Sequence, residues 1–277
     1  MIGVIDVGGG LRGSYGAGVL DWCLSHDISF DYGIGISAGS ANVASYFAGQ
    51  RGRNYKFYTD YFTRWQYMGF RSLLETGDYV GLDYIYSTLS DENGEYPLDW
   101  NAILHSGKRY ITVATNALTG EPHYFEKESM SQDHYDAIKA SCCVPVVDHP
   151  YVIDGVPYFD GGISDPVPVR KAFADGCDKV VLILTRPRDF RRIPKNDAVF
   201  AKLLHRKYPK AAEDMATRSQ VYNDCCDQAE TLEKEGKVLI VAPDSIGHMK
   251  TLTKDREAIA RLYAKGYVDA KKIADFI

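Results

Sequence analysis

Short apolar runs alternate along the chain with stretches in which apolar residues recur at helical spacing. Apolar runs bounded by turn residues are typical of buried strands, and the helical spacing is typical of helices that cover a sheet. The predicted strands are Ile2 to Val7, Tyr32 to Ile36, Arg109 to Thr115, Pro122 to Phe125, Val152 to Phe159, Lys179 to Thr185 and Val238 to Ala242. Strands that alternate with helices favour an α/β fold, a three-layer sandwich with a mostly parallel central sheet.

The predicted helices separate these strands. They cover Tyr15 to Leu24, Ala41 to Ala48, Tyr55 to Trp65, Leu82 to Leu89, Tyr135 to Cys142, about Lys210 to Lys234, and an amphipathic segment from Asp255 onward. The third and fourth are dense in tyrosine and phenylalanine, so they form either a cap beside a site or part of the core. Because no repeat or linker interrupts the pattern, we expect one domain over residues 1–277, with residues 238–277 as a candidate C-terminal extension.

Composition narrows the class of protein. The 277 residues are 45% hydrophobic and 25% charged, as in an ordinary soluble protein. The formal net charge of −5 argues against nucleic acid as a partner, because phosphate contacts need a basic surface. The N-terminal MIGVIDVGGG resembles no signal peptide and no apolar run is long enough to span a membrane, so we expect a cytoplasmic protein. The sequence does not predict the oligomeric state.

The six cysteines are Cys23, Cys142, Cys143, Cys177, Cys225 and Cys226. They include two adjacent pairs and no CxxC, and no histidines lie around them at metal-ligand spacing. This pattern is typical of reduced thiols, and we expect neither a metal nor a cofactor.

The stretch GIGISAGS, from Gly33 to Ser40, carries the strongest chemical signal. It contains a G-x-S-x-G pattern in which Ser37 lies between Gly35 and Gly39, after a predicted strand and before a predicted helix. A serine in such a turn is forced into a strained, exposed conformation that only small neighbours permit. The helix N-terminus then points at the place where negative charge develops in acyl transfer. The pattern therefore predicts that Ser37 is a nucleophile.

A glycine-rich loop follows the first predicted strand. It consists of Gly8, Gly9, Gly10, Leu11, Arg12 and Gly13. We interpret it as a set of backbone amides that face the end of the neighbouring strand, where Ser37 lies. Arg12 either forms a salt bridge that fixes the loop or places a cation near an anionic substrate head.

The same loop also satisfies G-x-G-x-x-G, so a nucleotide-binding protein is a competing interpretation. Asp31 stands about where a dinucleotide site places its ribose-binding acid. However, Asp31 precedes the second strand, whereas that acid ends the strand in a dinucleotide fold. A catalytically idle scaffold that keeps the motifs is a third interpretation.

Asp160 begins the sequence DGG, with Gly161 and Gly162, after an extended run. Because parallel sheets collect functional groups at the carboxyl ends of strands, we expect the glycine loop, Ser37 and Asp160 at one edge. Ser37 would attack an ester carbonyl, loop amides would stabilise the oxyanion, and Asp160 would take the serine proton and later activate water. An unperturbed aspartate, with a pKa of about 3.9, is a poor base. Either burial raises its pKa, or the oxyanion hole supplies most of the catalysis; a histidine base would be His149.

GGGLRG, GISAG and DGG, in this order and in these contexts, resemble the motifs of the patatin-like phospholipases. The resemblance extends to the turn from Ser141 to Pro145. The span Val144 to Pro168, which contains Asp165 to Pro168, and the strand end Thr185 to Pro187 resemble a bacterial cytoplasmic branch of that family. It covers most of the chain and is strongest over residues 1–50 and 140–187.

This resemblance implies a patatin-like α/β fold that hydrolyses lipid or phospholipid esters. It implies Ser37 as the nucleophile, Asp160 as the general base without a catalytic histidine, and the Gly8 to Gly13 loop as the oxyanion hole. One departure concerns the residue directly before the glycines, which is often acidic in the family. Here it is Val7, with Asp6 one position earlier, so the loop geometry is in doubt.

A basic segment follows the sixth apolar run. Its members are Arg186, Arg188, Arg191, Arg192, Lys195, Lys202, Arg206, Lys207 and Lys210. One interpretation is a solvated or internally paired face. The other is peripheral contact with an anionic membrane, at about 1 kcal/mol per basic residue, with the first four arginines presenting phospholipid to Ser37.

Overall fold

An eight-stranded sheet forms the centre of the protein in the computed structural model, which describes residues 1–194 and 197–277. The strands are β1 Ile2–Asp6, β2 Tyr32–Ile36, β3 Arg109–Asn116, β4 Pro122–Glu126, β5 Tyr151–Ile153, β6 Val156–Asp160, β7 Lys179–Ile183 and β8 Val238–Val241. Their order is β5-β6-β3-β2-β1-β7-β8, and β4 pairs with β3 outside this path. The five strands from β3 to β8 in this order are parallel, whereas β4 and β6 run antiparallel to β3 and β5 antiparallel to β6.

Ten α-helices within the described residues cover the sheet. They are α1 Ser14–Ser25, α2 Ala38–Phe47, α3 Arg53–Thr59, α4 Phe70–Thr76, α5 Trp100–His105, α6 Asp136–Cys142, α7 Val169–Ala174, α8 Asp197–Leu204, α9 Pro209–Lys234 and α10 Arg256–Asp269. Side-chain caps start two of them: Asp99 accepts from the N–H of Ala102, and Asp255 from that of Ala258. A π-helical turn covers Tyr84–Thr88.

Successive strand residues point into two separate cores, which makes the fold a three-layer sandwich. Val4 of β1 packs into the core formed with α1, α2, α3, α6 and α10. The next residue, Ile5, packs into the core formed with α7 and α9. Burial on both faces explains why β1, β2 and β7 are almost continuously apolar. The predicted fold class is confirmed.

Each predicted strand corresponds to strand structure. The run from Val152 to Phe159 is a hairpin of β5 and β6 that turns at Asp154 and Gly155. The sequence pattern did not predict α4, α5, α7 and α8, which have only six to eight residues each. Helices this short carry little periodic signal and depend on tertiary packing.

The C-terminal region shares the sheet and the helical layer with the rest of the chain. Strand β8 pairs with β7, and α10 packs against α1. The hydroxyl of Tyr15 donates to Asp269 over 2.8 Å, and that of Tyr263 donates to Asp21 over 2.6 Å. The division of the chain into domains remains a prediction.

Two further observations concern the whole chain. All six cysteines are free thiols. Of the helices that the structure describes, none combines the length and the apolar character that crossing a membrane requires.

Candidate active site

Ser37 lies in the turn between β2 and α2. Its backbone has φ 54° and ψ −135°, a region that serine adopts only under constraint, and the residue is 9% exposed. Its N–H donates to Oγ of Ser141 over 2.9 Å, and that oxygen lies 3.0 Å from Oγ of Ser40. The serine at the end of α6 therefore holds the backbone of the strained turn.

The two glycines beside Ser37 are required by close backbone approach. A Cβ atom on Gly39 would overlap the carbonyl oxygen of Asp6, and one on Gly35 would overlap the backbone of Ser40. The G-x-S-x-G pattern thus reflects how tightly β1, β2 and α2 meet at this turn.

The glycine loop after β1 faces the same turn. Its first three residues have positive φ angles of 63°, 118° and 60°. The N–H of Gly8 donates to Oδ1 of Asp6 over 2.9 Å, and the N–H of Leu11 donates to the carbonyl of Thr251 over 2.8 Å. These two amides are already committed.

The N–H groups of Gly9 and Gly10 differ from those two. They donate to no other residue within the described ranges, and both glycines line the cavity that contains Ser37. Of the six residues predicted to form the oxyanion hole, these two present amides that are free for a ligand.

Asp6, one position before the place where the family often has an acidic residue, holds the glycine loop through its side chain. Its buried carboxylate accepts from Gly8 and, over 2.8 Å, from Nδ2 of Asn42 on α2. Burial raises the pKa of Asp6 to about 6, against these two hydrogen bonds. The carboxylate therefore joins the loop to the helix that follows Ser37, although it is not adjacent to the glycines.

Asp160 ends β6, and the sheet register places it near Ser37. Ile36 of β2 pairs with Val113 of β3, and Ala114 of β3 pairs with Asp160 on the other side. Ser37 and Asp160 thus flank β3 at the same level. We expected the glycine loop, Ser37 and Asp160 at one edge of a sheet of parallel strands; the strand that ends at Asp160, β6, runs antiparallel to β3.

The environment of Asp160 makes it a stronger base than an ordinary aspartate. Burial raises its pKa, and the charge of Arg218, the side chain of Ser37 and the N–H of Gly162 offset this only in part. The Gly162 N–H donates to Oδ1 over 2.7 Å. How catalysis divides between a raised pKa of Asp160 and the amides of an oxyanion hole remains a prediction.

A cavity of about 420 Å³ joins these groups. The predicted residues that line it are Ser37, Asp160, Gly8, Gly9, Gly10, Leu11, Arg12 and Gly162. The predicted residues that are buried without lining it are Gly13, Gly35, Gly39 and Gly161.

Much of the cavity wall is apolar. This apolar part of the lining includes Phe57, Tyr58, Tyr67, Met68, Val80, Leu82, Ile85, Tyr86, Val144, Val147 and Leu252. Both aromatic-rich segments that were predicted as cap or core contribute to this wall. The first does so through α3, and the second through Leu82 and the π-helical turn Tyr84–Thr88.

Five arginines also line the cavity: Arg12, Arg53, Arg186, Arg192 and Arg218. Arg12 is 5% exposed and donates through Nη1 to Oγ1 of Thr251 over 3.0 Å, and within the described residues it forms no salt bridge. The salt-bridge interpretation of Arg12 is therefore wrong. Arg218, on α9, carried no motif in the sequence.

The first four arginines of the predicted basic segment divide into two pairs. Arg188 and Arg191 pair with acidic residues of α9: Arg188 with Glu233, and Arg191 with Asp227 over 2.6 Å. Arg186 and Arg192 line the cavity, and so does Asp197, the acidic partner of Arg192. Lys195 lies outside the described residues, and contact with an anionic membrane remains a prediction.

His149, the candidate histidine base, and Asp31, the candidate ribose-binding acid of a nucleotide site, both lie away from the cavity. The side chain of His149 is 72% exposed, with Nδ1 2.9 Å from Oδ1 of Asp78, and no histidine lines the cavity within residues 1–194 and 197–277. Asp31 precedes β2 and accepts from the N–H of Ile2, so it lies at the edge of the sheet opposite the glycine loop.

The fold and the serine turn define a class of protein, and comparison with known sequences identifies it. The family model described as Patatin-like phospholipase matches residues 7–173, and the chain belongs to this family. A second model, described as a domain of unknown function (DUF6363), matches residues 208–275.

Individual proteins are also similar to this chain. The uncharacterized protein YjjU of Escherichia coli (strain K12) is 30% identical over 199 residues, which are 70% of this chain and 54% of that protein. The chain thus spans about half the length of this relative. The crystal structure of VipD from Legionella pneumophila is similar in fold, with a TM-score of 0.51 and 16% identity over 99% of this chain and 66% of that one.

Proposed function

We propose that this protein is a serine acyl hydrolase that cleaves carboxylic esters of lipids, with Ser37 as nucleophile and Asp160 as general base. Membership of the patatin-like phospholipase family supports a lipid ester hydrolase. The observation that carries the residue assignment is that Ser37, Asp160 and the free amides of Gly9 and Gly10 meet in one cavity.

In the acylation step, Oγ of Ser37 attacks the ester carbonyl while its proton passes to the carboxylate of Asp160. The N–H groups of Gly9 and Gly10 donate to the oxyanion of the tetrahedral intermediate. Collapse of this intermediate breaks the ester bond, and the leaving alcohol takes the proton from Asp160. The acyl group remains on Ser37.

In the deacylation step, Asp160 takes a proton from a water molecule that attacks the acyl-enzyme. The same two amides stabilise the second oxyanion. Collapse releases the fatty acid, and the proton on Asp160 returns to Oγ of Ser37. One aspartate therefore acts as base and acid in both steps.

The apolar part of the cavity is suited to an acyl chain. Burial of each methylene group is worth about 0.8 kcal/mol, or about fourfold in kcat/KM where the contact persists in the transition state. We therefore expect longer acyl chains to be preferred until the apolar part is filled.

Replacement of the nucleophile tests the proposed function. Ser37→Ala should reduce hydrolysis of p-nitrophenyl butyrate by several orders of magnitude, because no acyl-enzyme forms. Ser129→Ala, at an exposed serine outside the cavity, should retain wild-type activity. It controls for effects of a serine-to-alanine change and of protein preparation. Activity of Ser37→Ala close to wild type would overturn the assignment.

A further inference from the structure

Three arginines that line the cavity lie outside the segment that matches the patatin family. Arg186 and Arg192 follow β7, and Arg218 lies on α9, whereas the match ends at residue 173. Side chains from the C-terminal third of the chain therefore reach the place where Ser37 and Asp160 meet.

The contacts of these arginines leave much of their charge uncompensated. Arg218 donates through Nε to the carbonyl of Gly162 over 2.6 Å, and the Arg186 guanidinium lies 4.2 Å from the ring centre of Phe190. Within the described residues, neither forms a salt bridge. Of the three, Arg192 alone forms a salt bridge within the described residues, with Nη2 3.4 Å from Oδ1 of Asp197. The charges of Asp160 and Asp197 act on Arg218 from a greater distance.

The cavity as a whole carries an excess of positive charge. Its charged lining comprises Arg12, Arg53, Arg186, Arg192 and Arg218 against Asp160 and Asp197. Arg53 differs from the other arginines because its guanidinium group already donates to the hydroxyls of Ser45 and Ser90 and to the carbonyl of Tyr96. The remaining arginines still outnumber the aspartates.

Grouping cations in a partly desolvated cavity costs free energy that an anion offsets. Burial, followed by the charge of Arg192, lowers the pKa of Arg218 to about 10. Burial and the charge of Arg192 also lower the pKa of Arg186. Guanidinium groups bind phosphate oxygens with paired, directional hydrogen bonds, and so suit such an anion.

We propose that Arg186, Arg192 and Arg218 form an anion subsite that holds a phosphate group of the ester substrate beside Ser37. The link to the reacting atoms is short, because Gly162 accepts from Arg218 through its carbonyl and donates to Asp160 through its N–H. The subsite deepens the proposed function and rests on it: the preferred substrate is an anionic lipid ester whose phosphate lies a few bonds from the scissile carbonyl.

A pair of substrates that differ only in the phosphate tests the subsite. Oleoyl-glycerol 3-phosphate and monooleoylglycerol share the acyl chain and the ester bond, so the ratio of their kcat/KM values isolates the phosphate. Arg186→Gln and Arg192→Gln should each lower this ratio at least tenfold, and Arg186→Lys, which keeps the charge, should restore part of it.

Arg191→Gln is the matched control, because Arg191 lies in the same segment but pairs with Asp227 and Glu230 on α9. It should leave the ratio unchanged. A ratio near one in the wild type, or a ratio that Arg186→Gln and Arg192→Gln do not change, would overturn the subsite while leaving ester hydrolysis intact.

A binding measurement separates failure of the subsite from failure of the proposed function. In Ser37→Ala protein, titration calorimetry with decyl phosphate should show binding that Arg186→Gln weakens at least tenfold, whether or not the wild type hydrolyses any ester. Equal affinity of Ser37→Ala protein and of the double variant Ser37→Ala/Arg186→Gln for decyl phosphate would contradict the subsite.

Inorganic phosphate distinguishes a lipid phosphate from a free one. If it binds Ser37→Ala protein as tightly as decyl phosphate does, the arginines hold free phosphate, and their assignment to the substrate is wrong. We expect decyl phosphate to bind more tightly, because its alkyl chain also occupies the apolar part of the cavity.

Discussion

Ser37 is held in a backbone conformation that few serines adopt, and the residues that hold it come from three separate parts of the chain. Ser141 lies 104 positions away and accepts from its N–H. Gly39 packs against Asp6, which in turn holds the glycine loop. The conformation is thus fixed by packing and by hydrogen bonds to distant residues.

Asp160→Asn tests the proposed base. The amide cannot take the serine proton, so turnover of p-nitrophenyl butyrate should fall by several orders of magnitude. His149→Ala should cost less than about tenfold, because the imidazole is exposed and contacts Asp78 outside the cavity. The reverse ranking would replace the dyad with a histidine-dependent mechanism.

The pH dependence of hydrolysis reports on the charge around Asp160. The base acts as the carboxylate, so kcat/KM should rise with pH through its pKa, which burial raises above the ordinary value of 3.8. Because the charge of Arg218 lowers this pKa, Arg218→Gln should move the acidic limb to higher pH.

A control variant and the direction of the shift in pH decide this prediction. Arg188→Gln removes an arginine that pairs with Glu233 on the surface, and should leave the limb in place. A limb that Arg218→Gln moves to lower pH, or does not move, would contradict the assignment of Asp160 as base.

The sequence was informative at residue scale where the constraint is local. Ser37 and the glycines beside it are recognisable because a tight turn demands small residues within a few positions. Ser141 and Arg218 carry no such signal, since their partners lie 104 and 56 positions away along the chain. Only the assembled sheet and helices bring them to the site.

At the scale of elements, strand register decides which residues meet. Alternation of apolar runs and helices predicted the parallel core, yet the direction of β6 did not follow from it. The turn at Asp154 and Gly155 makes β5 and β6 a hairpin, and β6 then pairs antiparallel with β3. Asp160 reaches the cavity by register, through its pairing with Ala114, on a strand whose direction the sequence pattern did not predict.

A contact between the C-terminal segment and the glycine loop offers a test at the same scale. Oγ1 of Thr251 accepts from Nη1 of Arg12, whose Nε has no partner among the described residues. Thr251→Val removes this acceptor and leaves a buried donor unpaired, so the free energy of unfolding should fall by about 1–3 kcal/mol. Chemical denaturation measures it.

The control for this change is Thr217→Val, at an exposed position of α9, where we expect a change below about 0.5 kcal/mol. Equal effects of the two substitutions would mean that Thr251 does not stabilise the loop.

For the molecule as a whole, the cavity is assembled from segments on both sides of residue 173, where the family match ends. The N-terminal part supplies Ser37, Asp160 and the glycine loop, and the C-terminal part supplies Arg218, Thr251 and Leu252. Motifs in the sequence located the first group, whereas the second became visible only when α9 and the segment before α10 were placed over the sheet.

The most direct test of the central claim is covalent labelling with a fluorophosphonate, followed by intact mass measurement and mapping of the modified residue. An activated serine attacks phosphorus as it would an ester carbonyl, and the loop amides stabilise the resulting charge. We predict one adduct per chain on Ser37, and none on Ser37→Ala protein. The absence of an adduct on folded wild-type protein, or an adduct on another residue that persists in Ser37→Ala, would contradict the assignment of Ser37 as the nucleophile.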